Sequence, residues 1–212
     1  MEQSRERTTY VCEELNDDDM TQVTELFREQ RRQMGVEESD AAWFADPLDD
    51  WLACLERGGD GLSRESVASL AAGMREKLAF RDALIVSLLC RGVDRSQLME
   101  LAARPHRPES VRCLSRALND AFRDADAAPD RRRCERGLKM LAQIARAVPP
   151  GWRVQPMTLV AYVLWWMGDP RAVVYAVRVL ADDERCTLAG IVLSAMEHGI
   201  APAWMGDGMP GE

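Results

Sequence analysis

Apolar residues are densest in residues 156–169, PMTLVAYVLWWMGD, which are apolar on every side of a helix. A helix that is hydrophobic all round is covered by its neighbours on all sides. The pattern predicts that Pro156 takes a first helical position and that Gly168 closes the helix in the left-handed conformation. Asp169 then caps a second helix whose first residue is Pro170. We therefore expect this segment at the centre of a helical array.

Most of the remaining chain consists of amphipathic segments at helical spacing, separated by short breaks. Hairpin and βαβ patterns do not occur. Residues 8–15 are predicted to be extended or disordered, and Asp18 or Asp19 is predicted to cap the first helix. The sequence thus predicts an all-α fold, an array of about nine or ten antiparallel helices. The further predicted helices cover residues 19–33, 39–57 with an interruption at Pro47, 64–76, 80–91, 95–104, 108–122, 131–148, 171–181 and 186–197.

The clearest loop in the first half is the run Gly-Gly-Asp-Gly at residues 58–61. Such a run favours a boundary. We therefore predict an acidic, partly helical N-terminal extension (residues 1–60) followed by a helical domain (61–204). The last residues, 205–212, are predicted to be a flexible tail.

Charge is spread unevenly along the chain, whose net charge is −8. Residues 1–60 hold 6 basic and 17 acidic side chains, whereas residues 101–149 hold 11 basic and 6 acidic ones. Two interpretations remain open. The two segments form a self-complementary or simply solvated surface, or the acidic segment covers a basic binding face.

Composition also bears on the compartment. The six cysteines are scattered and have no metal-binding spacing, and the first ten residues lack the apolar segment of a signal peptide. The apolar run around Trp165 is too short to span a membrane. We predict a cytoplasmic protein with no membrane association. Among the basic residues only Lys77 and Lys139 are lysines, a bias typical of a GC-rich genome.

Candidate catalytic chemistry is sparse in the sequence. His106 and His198 have no cysteine or carboxylate at ligand spacing, and the acidic clusters at residues 17–19, 49–50 and 182–184 lack the spacing of a calcium loop. No phosphate-binding loop or nucleophile elbow occurs. We therefore predict no catalytic site, no cofactor and no metal.

One basic cluster is the candidate interaction patch: Arg131, Arg132, Arg133 and Arg136. It lies at the N-terminus of a predicted helix, where positive charge is unfavourable to the helix dipole, so an anion or an acidic partner would compensate it. A second feature, Arg81 next to Asp82, is predicted to be a structural polar pair.

From residue 156 onward, the order helix, Gly-Asp turn, helix, acidic turn, helix resembles tetratricopeptide repeats. Three segments are similar to a more specific group, the C-terminal helical region of the actinobacterial domain of unknown function family 4192. These are FRDALIVSLL (80–89), PDRRRCERGLKMLAQIARAVPP (129–150) and the segment 159–204 that begins LVAYVLWWMGDP. The resemblance covers about residues 63–204, and it implies a helical fold and an actinobacterial lineage but no catalytic residue.

These observations favour a non-enzymatic, cytoplasmic interaction module whose tetratricopeptide-like C-terminal half binds a protein or peptide. The alternative is a nucleic-acid-associated protein that uses the basic region 104–139.

Overall fold

Ten α-helices account for most of the chain that the structure describes. The computed structural model describes residues 14–58 and 61–206, and these ranges contain no β-strand. The predicted all-α antiparallel array is confirmed, as is the number of helices within these ranges. The predictions for residues 1–13 and 207–212 lie outside the described residues. The helices are α1 (Asp17–Met34), α2 (Val36–Arg57), α3 (Arg64–Glu76), α4 (Leu78–Leu89), α5 (Arg95–Ala103), α6 (Pro108–Arg123), α7 (Arg131–Ala147), α8 (Val154–Trp166), α9 (Arg171–Asp182) and α10 (Thr187–Glu197).

Two of the helices, α4 and α8, form the centre of the molecule. In α8, 11 of 13 residues are buried, and the helix packs against α3, α4, α7, α9 and α10. The sequence-based expectation that this segment is covered on all sides is confirmed. Helix α4 is buried almost as completely, and it contacts α3, α5, α6, α7 and α8. The other helices surround this pair, each with one polar face.

The first two helices contribute to the same core as the later ones. The rings of Phe44 in α2 and Phe80 in α4 stack at 4.6 Å between centroids, and Phe27 in α1 is fully buried. The indole nitrogen Nε1 of Trp51 donates a hydrogen bond to Ser87 Oγ at 3.0 Å. Residues before position 58 and after position 61 therefore belong to one hydrophobic cluster.

Helix N-termini follow the local sequence signals closely. Ser63, Asp94 and Asp130 each accept a hydrogen bond from the backbone N–H three residues later and so cap α3, α5 and α7. The predicted cap of α1 at Asp18 or Asp19 is wrong, because Asn16 is the cap. Asp19 instead completes a capping box by accepting a hydrogen bond from the Asn16 backbone.

The positions of two prolines within their helices differ from the predicted ones. Helix α2 continues through Pro47, which is buried in it, so the predicted interruption is wrong. Proline removes one internal helical hydrogen bond, and here the burial of the surrounding apolar residues outweighs that loss. Helix α8 begins at Val154, which makes Pro156 the third residue and not the first. Its missing N–H costs little there, since the first four N–H groups of a helix have no intrahelical partner.

The turn between α8 and α9 has the predicted left-handed glycine, with φ 71° at Gly168. The Asp169 carboxylate accepts a hydrogen bond from the Arg171 backbone N–H at 2.9 Å. The N-cap of α9 is nevertheless Pro170, so the predicted cap at Asp169 with Pro170 as the first helical residue is wrong. Met205, near the C-terminus, packs against this turn. A side chain at position 168 would collide with it, because a Cβ on Gly168 would lie 2.8 Å from Met205 Sδ.

A buried carboxylate that the sequence did not reveal joins several helices in the first half. Asp40 in α2 is fully buried, and its Oδ1 accepts a hydrogen bond from Arg31 Nε of α1 at 2.6 Å. Its Oδ2 accepts a hydrogen bond from Lys77 Nζ, and the same ammonium donates to the Ala103 carbonyl at the end of α5 at 3.1 Å. One carboxylate thereby links α1 and α2 to the junction between α3 and α4 and to α5.

Candidate functional site

The four arginines of the predicted interaction patch divide into two pairs. Arg131 and Arg132 are exposed, and Arg131 Nε lies 3.0 Å from Glu135 of the next turn. Arg133 and Arg136 are only partly exposed and extend towards neighbouring helices. The structure therefore does not bring the four guanidinium groups together on one exposed surface.

Arg133 and Arg136 bind the C-terminal ends of two other helices. Arg133 Nε donates to the Ser87 carbonyl of α4 at 2.6 Å. Arg136 Nη1 donates to the carbonyls of Leu55 and Glu56 of α2 at 2.6 and 2.9 Å. The last four carbonyls of a helix lack intrahelical partners and carry the negative end of the dipole, so a cation there is stabilising. These two arginines hold helix ends and are not available to a ligand.

Other cations of the basic middle region are paired with carboxylates. Glu37 of α2 lies 2.9 Å from Arg104 and 3.0 Å from Arg107, and the hydrogen bond from Arg104 lowers the pKa of Glu37. Arg112 pairs with Glu109 within α6. At Glu37, therefore, the acidic N-terminal segment forms ion pairs with the basic middle segment.

A row of cations on the outer face of α7 is different. We call Arg132, Lys139 and Arg146 the basic row. They are seven residues apart, so they lie on one face of the helix at intervals of about 10.5 Å. All three are exposed, and they make no hydrogen bond or ion pair through their side chains with residues 14–58 or 61–206. The repeat of seven is visible in the sequence, whereas the predicted patch followed the cluster at the helix start.

The basic row ends at a groove between α7, α8 and α9. This groove, which we call the α7–α9 groove, has a volume of about 600 Å³. Glu14, just before α1, lines the groove, and the next residue is held there because the Leu15 backbone N–H donates to the Ala147 carbonyl at 2.7 Å. The apolar lining residues are Ala142, Ala145, Pro150, Met157 and Val160, and the polar ones are Glu14, Arg146, Arg153, Tyr175, Arg178 and Asp182.

The charges of the α7–α9 groove are largely uncompensated. Arg153 Nε donates to the Val148 carbonyl at 2.7 Å. Arg146 and Arg178 are exposed and form no side-chain hydrogen bond or ion pair with any residue that the structure describes. Glu14 and Asp182 line the groove too, but neither lies within 4.0 Å of these arginines. Three guanidinium groups and two carboxylates therefore line the groove beside its apolar residues.

Two smaller clefts beside α6 have more compensated charge. Their volumes are about 450 and 460 Å³, and both include Glu109. Arg107 lines one cleft, and Arg112 and Arg116 line the other. Arg107 and Arg112 are each paired with a glutamate, whereas Arg116 forms no ion pair with a residue that the structure describes. The α7–α9 groove is larger and contains more unpaired cations.

The Arg81–Asp82 pair forms at the start of α4. Arg81 is buried, and its Nε and Nη2 donate to Asp82 Oδ1 at 3.0 and 2.8 Å. Its Nη1 lies 3.2 Å from Gln155 Oε1 of α8. The pair thus connects the two central helices.

Two buried or partly buried cysteines and one histidine show little sign of reactivity. Burial raises the pKa of the Cys90 and Cys134 thiols to about 12, so both stay protonated at neutral pH and are poor nucleophiles. His198 is exposed, and its Nδ1 lies 2.8 Å from the Ser194 carbonyl of the preceding turn. Among the described residues, no three histidine, cysteine, aspartate or glutamate side chains are grouped so that they could hold a metal ion.

Within residues 14–58 and 61–206, no helix combines the length and apolar character needed to cross a membrane. Comparison of the chain with protein-family models, curated proteins and solved structures finds no match.

Proposed function

We propose that the protein is a non-enzymatic interaction module of the cytoplasm, and that its α7–α9 groove binds a peptide segment of a partner protein. One observation carries the proposal. An apolar floor that includes Met157 and Val160 lies next to Arg146 and Arg178, which have no partner among the described residues. Binding sites combine an apolar lining with a few placed polar groups in this way.

The position of the groove supports a peptide ligand. It lies on the helical pair α8 and α9, in the C-terminal half for which the helix order predicts a tetratricopeptide-like arrangement. Aliphatic side chains of a peptide would bury the exposed parts of Ala142 and Ala145, and its carboxylates would reach the arginine side chains. Hydrophobic burial and charge-assisted hydrogen bonds then act together.

The alternative, nucleic-acid binding through residues 104–139, is less well supported. Arg104 and Arg107 are engaged by Glu37, and Arg133 and Arg136 by helix carbonyls. Phosphates would have to displace these contacts, since nucleic-acid affinity depends on free cations that release counterions.

Site-specific crosslinking tests the proposal. A benzoylphenylalanine is introduced at Ala142 in the groove and, as a matched control, at the exposed Thr21 of α1. Both proteins are irradiated in a lysate of the source organism, half of which is treated with nuclease, and the crosslinked residues are mapped by mass spectrometry. We expect the Ala142 probe to crosslink one short segment of a partner protein in both halves. A synthetic peptide of that segment should compete with the crosslink.

Two results would contradict the proposal. Identical crosslinks from Ala142 and Thr21 would mean that the groove is not the binding site. Crosslinks that vanish with nuclease would transfer the function to nucleic-acid association.

A further inference from the structure

The basic row extends the α7–α9 groove along the outside of α7. Arg146 belongs to both, and Lys139 and Arg132 continue from it towards the start of the helix. The row is about 21 Å long, because it covers fourteen residues of helical rise. The protein as a whole has a net charge of −8, so a continuous strip of unpaired cations is a local exception.

We propose that the groove and the basic row together bind an acidic peptide, with its carboxylates along Arg132, Lys139 and Arg146 and an aliphatic side chain on the groove floor. The inference rests on the proposed function, to which it adds the charge, the length and the path of the ligand.

Charge complementarity selects this occupant. Most exposed cations of the first five helices already have carboxylate partners, for example Arg28 with Glu76 and Arg95 with Asp49. The basic row and Arg178 have none among the described residues, so a ligand that supplies carboxylates gains charge-assisted hydrogen bonds without breaking existing ones.

A peptide fits better than a nucleic acid for two reasons. The floor is aliphatic, and Tyr175 is the one aromatic side chain among its lining residues, whereas single-stranded nucleic acids are held by several stacking aromatic rings. Glu14 and Asp182 also line the groove. They would repel a continuous phosphate backbone, while a peptide can place neutral residues opposite them.

The spacing of the row defines the ligand further. A peptide in the polyproline II conformation advances about 3.1 Å per residue with three residues per turn. Every third side chain therefore lies on one face at intervals of about 9.3 Å, close to the spacing of the three cations. We expect an acidic residue at every third position over about seven residues, with an aliphatic residue next to the end that reaches Arg146.

The test uses fluorescence anisotropy with the full-length protein and two labelled synthetic peptides. One peptide carries glutamate at every third position and leucine at one end, and the other has glutamine in place of each glutamate. The row variant is Arg132→Gln/Lys139→Gln/Arg146→Gln. The matched control is Arg116→Gln/Arg123→Gln/Arg185→Gln, which removes the same charge at three exposed sites elsewhere.

We expect the acidic peptide to bind the wild-type protein and the control variant with affinities within about twofold of each other. The row variant should bind it about tenfold or more weakly, since several exposed ion pairs are lost together. Binding should also weaken as salt rises.

The failures are distinguishable. If both peptides bind equally and the row variant binds them unchanged, while Ala142→Phe abolishes binding, the acidic-ligand inference is overturned and the proposed function stands. If neither peptide binds and a single-stranded oligonucleotide does, both are overturned. Equal losses in the row and control variants would show a general charge effect, and would also overturn the inference.

Discussion

The first five helices and the surface formed by α7 and α9 use their positive charges in opposite ways. In the first region, cations are engaged between helices: Asp40 holds Arg31 and Lys77, and Glu37 holds Arg104 and Arg107. On the α7–α9 surface, Lys139, Arg146 and Arg178 have no partner among the described residues. Both regions use the same residue types, arginine and lysine. What separates a structural cation from an available one is whether the fold has already supplied its counter-charge.

Removal of the buried carboxylate at Asp40 should have the largest effect on stability. Asp40→Asn leaves Lys77 mostly buried without its counter-charge, and breaking a buried pair from one side costs about 3–5 kcal/mol. Urea unfolding followed by circular dichroism measures the free energy of unfolding. The control Asp46→Asn, at an exposed site of the same helix, should stay within about 0.5 kcal/mol of wild type.

A second variant tests whether the unpaired charge of Lys77 causes the loss of stability. Asp40→Asn/Lys77→Met also removes the ammonium, and it should recover part of the lost stability because only Arg31, the more exposed of the two cations, then lacks its counter-charge. A loss of less than about 1 kcal/mol in Asp40→Asn would contradict the structural role assigned to the carboxylate.

A medium effect is expected within α7 itself. Arg136→Gln removes a charged hydrogen-bond donor from the Leu55 and Glu56 carbonyls, which should lower the free energy of unfolding by about 1–3 kcal/mol. Arg132→Gln, one turn away and exposed, should change it by less than about 0.5 kcal/mol. Equal effects of the two substitutions would mean that α7 does not divide its arginines between helix-capping and free positions.

Local sequence signals predicted much of the fold. The caps at Ser63 and Asp94 were predictable because the capping bond spans only three residues, and the centre of the array followed from the all-round hydrophobicity of α8. By contrast, the contact between Asp40 and Lys77 joins residues 37 positions apart. Its formation depends on how helices pack, which no local pattern encodes.

The candidate site was predicted only in part for the same reason. A cluster of arginines in the sequence shows where positive charge is concentrated. It does not show which guanidinium groups bind helix carbonyls, as they do at Ser87 and Leu55. The seven-residue spacing of the basic row could have been recognised from the sequence once α7 was predicted. Its connection to Arg178 could not, since that depends on the position of α9 beside α7.

The ion pairs of Glu37 and Asp49 should make a smaller contribution to stability, which is lost in acid. Hydrogen bonds from Arg104 and Arg95 lower the pKa values of Glu37 and Asp49, respectively. A folded-state pKa below the unfolded one contributes stability above the unfolded pKa, and that contribution is lost as the pH falls through the folded pKa. The urea midpoint of Glu37→Gln/Asp49→Asn should lie slightly below that of wild type at about pH 6 and converge with it at about pH 3.

The comparison variant for this experiment is Glu38→Gln/Asp46→Asn, which removes two exposed carboxylates from the same helix. The difference between its urea midpoint and that of wild type should depend less on pH. If both double variants follow the same pH course, the ion pairs from α2 to Arg104 and Arg95 contribute no measurable stability.

The smallest effect on stability should come from the cations of the α7–α9 groove. Arg146→Gln/Arg178→Gln removes two side chains that have no partner among the described residues, so the free energy of unfolding should stay within about 0.5 kcal/mol of wild type. Urea unfolding is measured at low and high salt, and the difference from wild type should be equally small in both. A loss as large as that of Arg136→Gln would show that these arginines support the fold. The contrast between engaged and available cations would then disappear, and with it the reason for placing a ligand in the groove.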